Sequence, residues 1–485
     1  MFDKYIFAAG LALAAAPAWA APATQDGADH LKSVFEAYLG QTEGVVTVTP
    51  NGEAYTVSLD PANQIAKAPN GGKGATVSPI ELQVAELGDG KWQVSQNGPV
   101  DFNMLVPGML ELRIAAEDYN WSGVFDESLK AFETSAGKAT GVNLTEAVTQ
   151  PGQPTMNVAY TVDSIEIATS AVAGATGGID GTMSYVVTGM TETFTLPPTP
   201  QMPAPMDVTI TADSYTAEGN TTAVRTAALL ELWAWFVAHP GEDAIKANFD
   251  EMKGKVGAAL PFFDNVRASG TMNNLAVITP MGEVKATAAE IVVDVNGAVA
   301  DGKVRERIKL SGLQLPEELM PDWVPPLLPK TVTLDFTVDS FDLAAPAQIL
   351  LAEMGPDGKP SADMNQRMMM ALMPAGTVDI ALAETGASSD MYGLTVDGKM
   401  SVGPMTPMPV GNAVIRANGL DAVMQALQSA PPEVSQQAIP GIMMARGLAK
   451  PEGEDSYSWT IEASATGQIL VNGVDLSAMG GGGAQ

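Results

Sequence analysis

Twelve Asn-Gly and Asp-Gly pairs are spread along this 485-residue chain, at Asn51, Asn70, Asn97, Asn296, Asn418 and Asn472 and at Asp26, Asp89, Asp180, Asp301, Asp357 and Asp397. Such pairs accept the positive φ values of tight hairpin turns. Their dispersal commits the chain to many consecutive antiparallel strands, because parallel strands would need a crossover helix between most of them. Alternating apolar and polar residues supply the strands, at 45–49, 55–59, 80–86, 91–95, 100–106 and 110–115, then at 155–167 and 182–188. More follow at 271–278, 286–295, 303–310, 331–338, 377–383, 392–402, 457–465 and 468–475. Asp294-Val-Asn-Gly297 hints at a calcium loop, but it lacks the alternating third ligand and the distal glutamate and reads better as a hairpin turn.

Helical spacing interrupts this pattern at a few places. A short amphipathic helix is expected over 30–39, with Asp29 as its cap and Gly40 as its stop, and another over 128–135. The most apolar helix spans 221–238, capped by Asn220, Thr221 or Thr222 and closed by His239-Pro240-Gly241. At ~100° per residue Leu229, Leu230, Leu232, Trp233, Phe236 and Val237 share its bulky face, which is expected to be buried. Arg225 and Glu231 divide a segment already shorter than the ~20 apolar residues a bilayer needs, so a transmembrane reading is rejected. A partner helix over 242–260, a pair over 344–354 and 362–373, and a pair over 420–428 and 433–448 make three helical pairs set between strands. Thr161-Val-Asp-Ser164, Thr211-Ala-Asp-Ser214 and Thr337-Val-Asp-Ser340 form a weak repeat. The predicted fold is therefore α+β: a mainly antiparallel, extended, meandering β-sheet with interspersed helical hairpins.

The first twenty residues read as a secretory signal, with Lys4, an apolar run from Ile6 to Ala16 and the small-residue site Ala18-Trp19-Ala20. Cleavage is expected between Ala20 and Ala21, leaving no transmembrane helix. With no cysteine there is no lipid-modified cysteine, disulfide or thiol nucleophile. A periplasmic location, or release outside the cell, is expected. The proline-rich segment 196–205 is the candidate connector between an N-terminal mainly β half (21–195) and a C-terminal β half with helical hairpins (206–475), ahead of a glycine-rich tail (476–485). A net charge of −31 repels phosphate backbones, so nucleic acid is not an expected partner.

Asp213-Ser-Tyr215, Arg225, Leu229-Leu230, Trp233 and Phe236-Val-Ala-His-Pro240, with Asp335-Phe-Thr-Val-Asp-Ser-Phe-Asp342, resemble an exported bacterial family known only as domain of unknown function 2125. The resemblance covers most of the mature chain. It implies export and brings no assigned activity or catalytic residues.

Chemistry-bearing motifs are sparse. Only His30 and His239 are available for a zinc site or a serine triad, and no Gly-x-Ser-x-Gly elbow accompanies them. His239 reads as a helix C-terminal cap. Phosphate-binding glycine loops are absent, so no catalytic residue, cofactor or metal site is assigned. Carboxylates are numerous, which keeps a carboxylate-based hydrolase as a lesser reading. Tyr119 and Trp121 beside Asp118 and Asn120 could form a sugar-binding surface, but strand alternation turns the two aromatics toward the core.

Met364, Met368, Met369, Met370 and Met373 make a methionine-rich helix, whose flexible side chains suit either core filling or an adaptable apolar surface. Trp233, Phe236, Met364, Met368 and Met369 are the candidate apolar binding or docking residues. The leading expectation is a binding or shuttling protein for an apolar small molecule or lipid held against the sheet. The alternative is an envelope scaffold that docks another envelope protein.

Overall fold

The computed structural model describes residues 22–60, 62, 74, 76–149, 155–198, 203–316, 320–355, 361, 363–404 and 408–475. The expected signal and its cleavage site, the glycine-rich tail, Asn70 and Asp357 lie outside the described residues. Chain order begins with helix α1 (Gln25–Leu39) and strands β1 (Val46–Asn51), β2 (Ala54–Leu59), β3 (Thr76–Val77), β4 (Ile80–Gly88), β5 (Lys91–Val106) and β6 (Leu110–Asp126). It continues with β7 (Ala131–Val148), β8 (Met156–Ala173), β9 (Ile179–Leu196) and β10 (Met206–Val224), then α2 (Thr226–Ala238), α3 (Glu242–Ala247) and α4 (Phe249–Ala259). Next come β11 (Asn265–Thr279), β12 (Gly282–Asn296), β13 (Gly302–Ser311), β14 (Thr331–Phe341), α5 (Ala344–Glu353), α6 (Met364–Leu372), β15 (Val378–Ser388), β16 (Gly393–Val402) and β17 (Val410–Asn418). The described chain ends with α7 (Leu420–Leu427), α8 (Pro432–Leu448), β18 (Lys450–Gly453), β19 (Ser456–Ala463), β20 (Ile469–Val471) and β21 (Val474–Asp475).

Among the described residues all twenty-one strands belong to one sheet, and every pairing in it is antiparallel. Neighbours in sequence are almost always neighbours in the sheet, which gives the expected meander. Across residues 197–205 the flanking strands pair directly, Met206 against Leu196. The turn pairs contribute unequally. Asn51-Gly52, Asp89-Gly90 and Asn472-Gly473 do form hairpins, and both members of the last two adopt positive φ. Asn97-Gly98, Asp180-Gly181 and Asp397-Gly398 lie inside strands, Asp26-Gly27 lies in α1, and Gly419 is the left-handed cap of α7.

The helical pairs are where the sequence placed them, with local corrections. Thr221 and Thr222 continue β10, paired with Val266 and Asn265, because β-branched threonines suit a strand; the helix begins only after Arg225. Asn248 divides 242–260 into α3 and α4. Thr24, not Asp29, caps α1, its hydroxyl accepting from the Gly27 amide at 3.1 Å. No helix forms over 128–135: the Asp126 carboxylate takes the amides of Ser128 and Leu129 in a turn, Lys130 follows at φ 55, and β7 begins at Ala131.

Because every pairing reverses direction, β10 and β14 point the same way and β17 the opposite way. The insertions α2–α4 and α5–α6 therefore emerge at one end of the strands, and α7–α8 at the other. Lys253 on α4 donates to the Ala352 carbonyl of α5 at 3.3 Å, and Lys255 on α4 pairs with Glu231 on α2 at 3.1 Å, so the insertions at the first end form one layer. None of the described helices is long and apolar enough to cross a membrane.

Two copies of the Thr-x-Asp-Ser repeat explain an irregularity that crosses the sheet. On β6 to β10 the residues turned to one face are two apart except at one level. There they are three apart: Tyr119 to Ala116, Ala139 to Val142, Ile165 to Val162, Val187 to Met190 and Tyr215 to Ala212. One extra residue in each strand leaves the registers unchanged across the line. Gly141 and Gly189 adopt φ 57 and 64 at this seam. Asp163 and Asp213 of the repeat fill it, the first beside Gly189 and the second accepting from Asn274 Nδ2 at 2.7 Å. The third copy, at the end of β14, lies outside the seam.

A Cβ on residue 189 would sit 2.1 Å from Asp163 Oδ2 at a positive φ. Gly189→Ala is therefore expected to lower the urea-unfolding free energy by about 1–3 kcal/mol. Gly219→Ala, where the nearest atom is Met183 Cε at 3.7 Å, should stay within about 1 kcal/mol of wild type.

Candidate functional site: an apolar track and its end pocket

Directly opposed residues in an antiparallel ladder project to the same face, so the registers can be followed across the whole sheet. One such row reads Tyr119, Ala139, Ile165, Val187, Tyr215, Met272 and Ala289 from β6 to β12. It continues through Leu310, Val332, Ala387, Leu394 and Ala417 to Tyr457 on β19. Thirteen strands thus present an apolar side chain at one level with no polar interruption. The next row, Trp121, Gly137, Ile167, Tyr185, Ala217, Gly270, Ile291, Ile308 and Leu334, is apolar as well.

The opposite face is polar. Lys138 pairs with Glu166 there at 2.7 Å, and further along Arg305 holds the buried Asp335 through two hydrogen bonds of 3.0 and 2.7 Å. Ala136 and Ala168 on this face are exposed, whereas Ala139, Ala217 and Ala289 on the apolar face are half-buried. Over β7 to β10 the apolar face is thus the better covered of the two. The apolar face is the inner one.

Each end of the inner face carries a helix. At the first, Ala28 and Leu31 of α1 pack on Tyr55, Val57, Val84 and Val94. At the last, Trp459 Nε1 donates to the Ala445 carbonyl of α8 at 2.7 Å, and the Arg446 guanidinium lies 4.8 Å from the Tyr457 ring. Between these helices the inner face is a track.

Where α1 leaves the sheet a pocket of about 600 Å³ opens, within the range of ~300–1,000 Å³ typical of small-molecule sites. Leu31, Val34, Phe35 and Tyr38 of α1 form one wall, Leu82, Val84, Trp92, Val94, Tyr119, Trp121, Phe125 and Phe132 the floor, and Leu230 of α2 closes one side. Phe132 meets Trp121 and Phe125 edge-to-face at 5.3 and 5.5 Å. His30, Gln96, Glu127 and Lys130 are the other polar lining groups, and Glu127 accepts from Trp92 Nε1 at 2.7 Å. Burial pushes the Tyr119 phenol above its ordinary value, and burial followed by the neighbouring Tyr215 does the same for Tyr185. Because Tyr119 and Trp121 both line the pocket and begin the two rows, pocket and track are one surface.

The sequence-predicted residues lie elsewhere. Trp233 is 57% exposed and Phe236 37% exposed, while Trp235 is only 5% exposed. The buried side of α2 is therefore not the expected bulky one. It is set by Trp235, which stacks on His239 at 4.3 Å, and Trp233 instead donates its indole N–H to the Tyr38 carbonyl of α1 at 2.9 Å. On α6, Met364 is buried, Met368 half-buried and Met369 exposed. The structure does not bring these five residues to the pocket. His239 does cap α2, its ring nitrogen 2.9 Å from the Trp235 carbonyl.

Asp294, from the segment that hinted at calcium, is engaged by Lys303 at 3.0 Å and Asn265 at 2.8 Å. The Tyr119 and Trp121 alternation holds, with Asp118 and Asn120 turned to solvent. The pocket floor was missed because each of its residues is an ordinary inward strand position; only the density of aromatics in 92–132 marked it. Compared with protein-family models, with curated proteins and with solved structures, the chain finds no significant match.

Trp235→Ala should cost about 3–5 kcal/mol in denaturant unfolding, as removal of a buried indole does, whereas Trp233→Asp should melt close to wild type. The raised phenols favour the protonated, folded form. The stability they supply is complete below pH ~10 and lost as pH rises through the raised values. Phenolate absorbance should therefore show fewer tyrosines ionising at pH ~10 than in the unfolded chain, and Tyr185→Phe should remove one late-titrating group.

Proposed function

We propose that this protein is a non-catalytic binding or shuttling protein of the cell envelope that holds an apolar ligand, a lipid acyl chain, against the inner face of its sheet. The observation that carries the reading is the uninterrupted apolar row across thirteen strands that leads into an aromatic-floored pocket. The polar groups at the pocket are few and lie among hydrophobic walls, as in sites that enclose hydrocarbon and leave a head group in water. The signal-like N-terminus, and the resemblance to an exported family without assigned activity, support placement in the periplasm.

A second reading, an envelope scaffold, is favoured by the exposure of Trp233, Phe236, Met369, Met370, Met443 and Met444 on the helices. Crosslinking in the envelope that recovers no reproducible partner removes it.

The main reading is tested on protein purified from periplasm by native mass spectrometry and organic extraction. Co-purifying lipid is expected, lost on Trp121→Glu with the fold retained. Protein that stays empty after incubation with phosphatidylcholine vesicles would falsify the reading.

A further inference from the structure

Resting on the lipid-binding reading, we infer that the inner face is a conduit with several acyl-chain berths, of which the pocket beneath α1 is only the first. Its length is the first argument. Thirteen strands at ~4.8 Å spacing make a track of roughly 60 Å. One acyl chain spans only about 15 Å, half the ~30 Å hydrocarbon thickness of a bilayer.

Charge is the second argument. Two further rows run beside those already traced, one from Val94 through Met183 and Val293 to Phe336 and Ile461, the other from Val266 through Val304, Val338 and Ile380 to Ile469. In the four rows together Glu306, between Val293 and Phe336, is the only charged side chain. The remaining polar groups are few. Two of them, Ser135 and Thr169, satisfy each other at 2.8 Å. Four rows with a single charged side chain, on a chain of net charge −31, are complementary to hydrocarbon rather than to an ionic partner.

Continuity is the third argument. Between the two end helices Ile291 and Ile308, facing each other across β12 and β13, remain 39% and 37% exposed. Apolar side chains beyond the pocket are therefore open to a further ligand.

The test uses the full mature chain and phosphatidylcholine with brominated acyl chains. Native mass spectrometry counts lipids per chain, and bromine quenching is read from variants whose only tryptophan is Trp121, in the pocket, or Trp459, under α8. Wild type is expected to carry two or more lipids, with both reporters quenched. Ile291→Glu/Ile308→Lys changes two exposed, directly opposed positions to a pair of opposite charge, so it should keep the circular dichroism and melting of wild type. It is expected to retain pocket binding and Trp121 quenching while lipids per chain fall at least twofold. A wild type that saturates at one lipid, with Trp459 never quenched, overturns the conduit and leaves the binding reading standing. A wild type that binds none overturns both. Because the wild-type count decides by itself, the inference stays testable if the double variant fails to fold.

Discussion

An antiparallel ladder dictates which side chains share a face, and in a sheet of this length that constraint governs everything else. A slip of one residue in any strand would exchange its inner and outer sets from that point on. The inner set is mainly Tyr, Val, Ile, Leu and Ala; the outer set is mainly Ser, Thr and paired charges such as Lys138–Glu166 and Arg305–Asp335. Curling follows, because a single layer with one apolar face shields that face best by bending toward it. Helices cover the two ends, α1 on Val57 and Val84 and α8 beside Tyr457 and Trp459.

This arrangement differs from a sheet packed on helices or on a second sheet. In those folds the apolar face is consumed in making the core. Here, among the described residues, the strongly buried clusters are small: one beneath α1, around Tyr55 and Val57, and one at the seam, around Val142, Val162 and Val187. Most of the inner face contributes to neither. Cooperative backbone pairing between long strands holds the layer, and its apolar side chains stay available to something else.

Much of this was legible in the sequence, and the reasons are local. Alternation and turn chemistry act over a few residues, so the strands, the meander and the three helical pairs could be read directly. Helix limits failed where tertiary pairing extended a strand, as at Thr221 and Thr222, or where a carboxylate built a turn, as at Asp126. The orientation of α2 is not legible in its sequence, because helical spacing identifies a bulky side but not the side that meets a neighbour. With tryptophans at both 233 and 235, packing alone decided which was buried. The pocket was invisible for a related reason. It assembles Phe35, Val84, Trp92, Trp121 and Leu230 from five elements, and no short-range pattern encodes a meeting of that kind.

The seam through β6 to β10 has a consequence for how such a chain can change. Each strand there is written in two reading frames, one on either side of a single extra residue near Asp163, Gly189 and Asp213. Losing that residue from one strand alone is a frameshift in the sheet: its neighbours keep the old frame while its remaining half turns serines and charges inward. The strands that share the extra residue are therefore bound to a common edit, and length variation is confined to the loops at the strand ends.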